Sequence, residues 1–377
     1  MKSIGGEFEL DPVALASSAT LPLGLRADAR QQWLRSGRGA IRYAAATSRP
    51  TGTWLLPSYL CESVKQPFDE LGCPVQFYRI NDDARIDVAH LQAQITRYQP
   101  VGLLFINYFG MPLLPDEQQA IDDARKYGCF IIEDATHGSV LEGDDAPAGR
   151  LGDAVVSSLR KYLPVPDGAL LRIKNPSSLG SNASLAPDLA AEAFGRQRTL
   201  AKLLRWEFLH GAGGPPEAEG LFMTMFSQAE KLLDASGVPY PASPWSAPVL
   251  AAQDLTAARA QRRLNFAALA EAWQHSDLAR WATPLYTTLP AGASPFAFPV
   301  LVSPPLRDDL RRALVREQLY CPVLWPLPEA IDTNEFASSY HLSARIMCLP
   351  LDQRYTSEDM QDVARRFGQT ARQLGPL

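Results

Sequence analysis

Short apolar runs alternate with longer amphipathic segments from Gln31 to Ile173. Runs such as GLLFIN and CFII have no polar alternation, which is typical of strands covered on both faces in a parallel sheet. The runs predict strands at Thr53–Leu56, Val75–Arg79, Val101–Asn107, Cys129–Glu133, Ala154–Ser157 and Ala169–Ile173. The segments between them predict helices at residues 38–47, 60–71, 87–98 and 116–127. The alternation therefore predicts an α/β fold built on a mostly parallel sheet.

The pattern changes after residue 173. Residues 186–236 have a helical pattern with a break in the Gly- and Pro-rich stretch 211–220, and prolines then cluster at 237–248. Further along, the sequence predicts helices at 251–274, at 306–317 and from Ser357, and strands at Phe296–Val302 and Ile346–Leu349. These features predict a large domain over residues 1–240 and a small α+β domain over residues 241–377.

The composition narrows the class of protein. A length of 377 residues suffices for two domains, and 46% apolar with 20% charged residues excludes a disordered chain. Positive and negative charges are interleaved around a net charge of −5, so we expect no nucleic-acid partner. No apolar run approaches the roughly 18 residues of a membrane-spanning helix, and the first ten residues have no apolar signal core. We therefore expect a cytoplasmic protein without a membrane partner.

Cysteine and histidine spacing does not support a metal site. The five cysteines include no C-x-x-C pair, and the five histidines include no H-E-x-x-H pattern. Most of the cysteines lie within apolar runs, which indicates buried free thiols. We therefore expect no bound metal.

Several polar residues that could take part in catalysis or binding lie at the ends of predicted strands or at the start of a helix. Ser36–Ala40 (SGRGA) opens a helix, while Asp134, His137 and Lys161 follow apolar strands. Taken singly, Asp134 could cap a helix, His137 could belong to the core and Lys161 could be a solvated lysine. Together they meet three needs of pyridoxal phosphate (PLP): a lysine for a Schiff base, a carboxylate for the protonated ring nitrogen and a helix N-terminus for the phosphate.

A second interpretation of the lysine segment is weaker. Ser158-x-x-Lys161 matches the S-x-x-K nucleophile motif of β-lactamases and penicillin-binding proteins. That motif needs a K-T-G element and an α-helix that carries both residues. The sequence has no K-T-G, and Pro164 and Pro166 oppose a helix there.

Four motifs, in the same order along the chain, resemble those of the DegT-type aminotransferase family. These enzymes are fold-type I PLP enzymes, best known for aminating keto-sugars attached to nucleotides. The family motifs S-G-T-x-A, P-S-F-T-F, E-D-A-A-Q and S-F-x-x-x-K are similar to Ser36–Ala40, Pro57–Cys61, Glu133–His137 and Ser157–Lys161. Tyr320–Pro326 and Leu349–Tyr355 are similar to segments of the family's small domain.

The resemblance implies a fold, a function and a set of site residues. It implies a large domain with a mostly parallel seven-stranded sheet, a small α+β C-terminal domain, and a homodimer with its sites at the subunit interface. It also implies PLP-dependent transfer of an amino group from an amino acid donor to a keto acceptor, keto-sugars included. Lys161 would be the catalytic residue, forming the internal aldimine. The implied cofactor-binding residues are Gly37, Arg38, Gly39 and Ser158 at the phosphate, Tyr59 stacked on the ring, Asp134 at the ring nitrogen, His137 at the ring hydroxyl, and Lys161. Arg160 is a candidate for the cation that lowers the pKa of Lys161.

The sequence departs from the family pattern near the lysine. The loop from Asp153 to Lys161 is shorter than the usual one, G-D-G-G is replaced by P-D-G-A, and Cys61 stands in an aromatic position. The family's G-x-N-x-R segment has no clear counterpart in 175–235. Two alternatives therefore stay open: a PLP-binding or regulatory relative that does not transaminate, and a PLP enzyme of different chemistry such as decarboxylation or elimination. The retained lysine argues against the family's dehydratase branch.

Overall fold

A computed structural model describes residues 2–21, 25, 30–48, 51–138, 149–175, 185, 189–211, 215–235 and 237–375. The strands are β1 (Ile4–Gly5), β2 (Gln31–Leu34), β3 (Trp54–Pro57), β4 (Val75–Tyr78), β5 (Gly102–Ile106), β6 (Phe130–Asp134), β7 (Ala154–Ser158), β8 (Ala169–Ile173), β9 (Ala282–Pro284), β10 (Phe298–Val302), β11 (Leu319–Tyr320) and β12 (Ile346–Leu349). The α-helices are α1 (Pro12–Leu15), α2 (Gly37–Ser48), α3 (Glu62–Glu70), α4 (Val88–Tyr98), α5 (Pro115–Lys126), α6 (Leu189–His210), α7 (Pro216–Asp234), α8 (Ser246–Ala251), α9 (Leu255–Gln274), α10 (Pro304–Arg316), α11 (Ala337–Arg345) and α12 (Ser357–Gln373).

The central sheet has seven strands in the order β2-β8-β7-β6-β5-β3-β4. Strands β3 to β7 pair in parallel, whereas β8 runs antiparallel to both of its neighbours. Every residue of β5, β6 and β7 is buried, as expected for central strands covered by helices on both faces. The prediction of an α/β fold with a mostly parallel sheet is confirmed. Strand β2 was not predicted, because its sequence, QQWL, is not an apolar run.

The C-terminal region forms a second core around a smaller antiparallel sheet. This sheet has the order β12-β10-β9, and its apolar side chains pack with residues of α9, α10 and α12. Strand β1, at the start of the chain, pairs in parallel with β11, and Ile4 joins this second core. The domain boundary near residue 240 stays a prediction.

The helical region that follows the central sheet in sequence consists of α6 and α7, which pack antiparallel to each other. The predicted break at 211–220 is shorter in the structure because Pro216 already begins α7, where proline is tolerated at the first helical position. Residues 212–214 lie outside the described part of the chain. Among the described helices, none combines the length and the apolar character needed to cross a membrane.

Candidate active site

A cleft opens at the carboxyl ends of β6 and β7, beside the N-terminus of α2. Asp134 is the last residue of β6 and Ser158 the last of β7, and parallel neighbouring strands bring such residues to one edge of the sheet. The cleft is partly open to solvent, and its empty space, solvent included, is about 620 Å³. Its lining includes Ser36, Gly37, Arg38, Cys61, Asp134, Thr136, His137, Ser158, Arg160, Lys161, Leu233 and Trp325.

Lys161 closes a three-residue 3-10 turn that directly follows β7. Ser158 therefore ends a strand, and the two residues do not share an α-helix as the S-x-x-K motif would require. The Lys161 amine donates no hydrogen bond to any described residue. Burial lowers its pKa and the charge of Asp134 opposes this shift, so the amine loses its proton more readily than an ordinary lysine.

Asp134 is almost completely buried at the floor of the cleft. Its carboxylate accepts a hydrogen bond from the Thr136 backbone N–H at 2.9 Å. Burial raises the pKa of this carboxyl, although Thr136 and the charge of Lys161 oppose the shift. A cationic group bound next to Asp134 would therefore relieve the cost of burying its charge.

His137 is held as a neutral imidazole by the residues around it. Its Nδ1 accepts a hydrogen bond from the Phe109 backbone N–H at 3.2 Å, which places the proton on Nε2. Burial lowers the pKa of His137 well below its usual value. The ring stacks against Phe296 at 4.3 Å and Trp325 at 5.4 Å between ring centroids. Its Nε2 is buried without a partner among the described residues, so a donor stands ready for a ligand oxygen.

The N-terminus of α2 is capped within the predicted phosphate turn. The Ser36 hydroxyl accepts a hydrogen bond from the Gly39 N–H at 3.1 Å, as an N-cap serine does. Arg38 is already engaged: it pairs with Asp234 at 2.7 Å and donates to the Leu233 carbonyl at 3.2 Å. The remaining N–H groups of this first turn and the Ser158 hydroxyl are therefore the groups of the cleft that are open to donate to an anion.

Tyr59 does not lie on the cleft surface. Its side chain is fully buried, its hydroxyl donates to the Leu324 carbonyl, and its ring packs 5.4 Å from Tyr108 and 5.5 Å from Trp325. Cys61 and Trp325 line the cleft instead. The structure thus brings Gly37, Arg38, Asp134, His137, Ser158 and Lys161 together and leaves Tyr59 beneath them, while Gly39 lies in the first turn of α2.

Some lining residues were not singled out from the sequence. Thr136 stands within the quoted E-D-A-T-H motif, so its spacing from Asp134 could have indicated it. Leu233 and Trp325 are far from Lys161 along the chain, and no local pattern connects them to it. The loop after the lysine, residues 162–169, contains the altered P-D-G-A segment. It is anchored by the buried Asp167 carboxylate, which accepts hydrogen bonds from the hydroxyls of Ser243 at 3.0 Å and Ser246 at 2.5 Å.

These residues fit PLP on three independent observations. Lys161 offers an amine without a hydrogen-bond partner among the described residues, and Asp134 is a buried carboxyl that a cationic ring nitrogen would satisfy. The orphaned Nε2 of His137 can donate to a ring oxygen. The central sheet with the second, smaller core has the fold of fold-type I PLP-dependent transferases.

Solved structures share this fold across almost the whole chain. The aminotransferase TlmJ from Streptoalloteichus hindustanus is 17% identical with a TM-score of 0.67, covering 98% of this chain and 99% of that one. A DegT DnrJ EryC1 StrS aminotransferase from Brucella abortus is 18% identical with a TM-score of 0.62, covering 92% and 86%. Spr1654 from Streptococcus pneumoniae, described as a sugar aminotransferase and solved in its PLP form, is 14% identical with a TM-score of 0.64, covering 99% and 100%. No family model and no curated protein sequence matches the chain.

Proposed function

We propose that this chain is a PLP-dependent aminotransferase of the DegT type. It would move an amino group from an amino acid donor to a keto acceptor, with keto-sugars as the first class to test. The observation that carries this proposal is the meeting of Lys161, Asp134 and the unpartnered Nε2 of His137 in one cleft. The shared fold supports it, and so does the description of these structural relatives as aminotransferases.

Each residue of the cleft would have a different role toward the bound cofactor. Pyridoxal phosphate, when bound, supplies an aldehyde that reacts with amines and a ring that takes up electrons. Lys161 would hold the cofactor through Nζ and, once displaced by the donor, accept and return a proton as a base of lowered pKa. Asp134 would accept the hydrogen bond of the ring nitrogen, and His137 Nε2 would donate to the ring oxygen.

The Lys161→Ala variant tests the cofactor and its attachment together. Purified wild type mixed with PLP should develop the absorption band of lysine-bound cofactor, and borohydride reduction with peptide mapping should place the label on Lys161. The band should vanish in Lys161→Ala. Among the described residues, Lys161 is the only lysine that lines the cleft, so the variant has no amine there to bind the cofactor. Lys126→Ala, which alters an exposed lysine of α5, should behave like wild type.

The outcomes separate the alternatives. A band that maps to Lys161 and is cycled by an amino donor and a keto acceptor supports the aminotransferase. A band that no donor alters would support the non-transaminating relative, and one that leads to release of carbon dioxide or an eliminated group would support the different chemistry. Absence of any labelling at Lys161 would reject the cofactor proposal.

The assembly and the location are further parts of the proposal. A homodimer and a cytoplasmic site of action are implied by the family resemblance and by the composition. Sedimentation of the purified chain tests the first, and a strict monomer with full activity would reject it.

A further inference from the structure

Glu230, near the end of α7, contacts the residue that precedes the lysine. Both of its carboxylate oxygens accept hydrogen bonds from the Arg160 guanidinium, at 2.9 and 3.1 Å. Arg160 and Lys161 line the same cleft. A bidentate pair of this kind fixes the plane of the guanidinium as well as its position.

Glu230 is itself held by a fully buried arginine of α6. Arg198 donates to Glu230 at 2.6 Å, to Glu7 at 2.6 Å and to the Pro166 carbonyl at 2.9 Å. Pro166 belongs to the altered loop that follows the lysine. Arg198 thus connects Glu230 to the N-terminal segment through Glu7 and to the loop after the lysine through Pro166.

The charges that face Lys161 come from several elements. Burial has the largest effect on its pKa, followed by Asp134 of β6, then Cys61 before α3, Arg160 on its own turn and Glu230 of α7. Arg160 lowers the pKa of the amine and Glu230 raises it. As long as the two side chains stay paired, their effects on the amine oppose each other.

We propose that Glu230 is a positioning residue for the lysine site, which holds Arg160 in place and balances its charge beside the Lys161 amine. The importance of that balance for catalysis rests on the proposed function, whereas the contact itself does not. Arg160 alone, the cation suggested from the sequence, would therefore act on Lys161 only as a member of this pair.

Competitive acetylation of the cofactor-free protein between pH 6 and 11 tests this directly. Mass spectrometry of the Lys161 peptide gives the midpoint of its titration without any need for activity. Glu230→Gln should lower that midpoint by about one pH unit, because it leaves the Arg160 charge uncompensated. Glu217→Gln is the matched control, since it removes the same charge from an exposed position thirteen residues earlier, about 20 Å away along α7.

The double variant Arg160→Gln/Glu230→Gln decides whether Glu230 acts through Arg160. The shift caused by Glu230→Gln should be smaller when Arg160 is already replaced, because only the loss of the charge of Glu230 itself then remains. An equal shift in both backgrounds, or no shift in either, would overturn the proposal. Glu230→Asp keeps the charge but shortens the side chain, so we expect a smaller shift of the midpoint in the same direction. It replaces Glu230→Gln in the test if circular dichroism shows that Glu230→Gln does not fold. If Lys161→Ala left cofactor binding intact, the proposed function would fall while this result could still stand.

Discussion

Two adjacent acidic residues at the end of β6 have different surroundings. Glu133 is buried, and its carboxylate accepts hydrogen bonds from the Asn107 side chain at 2.6 Å and from three backbone N–H groups of the 149–152 segment at 2.6 to 2.9 Å. The Asp134 carboxylate accepts a hydrogen bond from the Thr136 backbone N–H, two residues further on, and faces the cleft. The sequence shows only Glu-Asp, whereas the structure places the first carboxylate among backbone donors and leaves the second open to the proposed cofactor.

Glu133→Gln and Asp134→Asn should therefore separate stability from cofactor binding. Glu133→Gln should lower the free energy of unfolding by about 2–4 kcal/mol, since an amide N–H₂ would face N–H donors at a buried site. Urea unfolding followed by circular dichroism measures this. Folded Glu133→Gln should keep the absorption of bound PLP, whereas Asp134→Asn should keep stability and bind PLP more weakly. A reversed pattern would contradict these assignments.

At the scale of elements, the connection from β5 to α5 shapes the site. Phe109 adopts a left-handed backbone conformation with φ +56°, and its N–H sets the tautomer of His137. Gly110 follows with φ +82°, and a Cβ there would come within 2.2 Å of the Ser294 carbonyl oxygen and 2.6 Å of the His137 carbonyl oxygen. This strained turn holds the histidine loop against the C-terminal region.

Gly110→Ala should lower the free energy of unfolding much more than Gly128→Ala, although both glycines have a similar positive φ. Gly128, with φ +95°, has open space around its would-be Cβ. Gly128→Ala should cost about 1 kcal/mol from backbone strain alone, and Gly110→Ala clearly more, with weaker PLP binding because the His137 loop must shift. Parallel urea unfolding and PLP titrations compare the two. Equal losses in both variants would mean that the contact with His137 does not matter.

At the scale of the molecule, a buried charge cluster joins the N-terminal segment to α6. Lys202 is fully buried; its amine donates to the Phe8 carbonyl at 2.8 Å and lies 3.5 Å from the Glu7 carboxylate. Burial lowers the pKa of Lys202 to about 7. Burial alone would raise the pKa of Glu7, but Arg198, Lys202 and Arg160 outweigh it and lower that pKa to about 2.

These pKa values predict how stability depends on pH. Folded Lys202 loses its proton near pH 7, while the unfolded chain keeps this proton up to about pH 10.5. Between these values the unfolded state binds more protons, so this group makes stability rise with pH by about 1.4 kcal/mol per unit. Lys202→Met should lack this rise, so its stability relative to wild type should fall from pH 7 to pH 9. Unfolding at pH 7, 8 and 9 measures the difference, with exposed Lys231→Met as the control; a difference independent of pH would contradict the prediction.

The amino-acid sequence by itself determined the alternation of strands and helices and the residues at the strand ends. Apolar runs report burial on both faces, and strand ends in a parallel sheet share one edge, so Asp134, His137 and Lys161 could be assigned to one site before the fold was known. The motif resemblance predicted a phosphate turn that opens a helix, and α2 begins within that motif at Gly37.

Only the tertiary structure decided which charges are paired and which rings face the cleft. Arg38 meets Asp234 and Arg160 meets Glu230 across 196 and 70 residues of sequence, and Trp325 reaches a cleft whose lysine lies far upstream. Tyr59 follows a strand as its motif suggests, yet it packs below the surface. Local patterns report the burial and direction of each element, whereas such contacts depend on how distant elements pack, which no local pattern records.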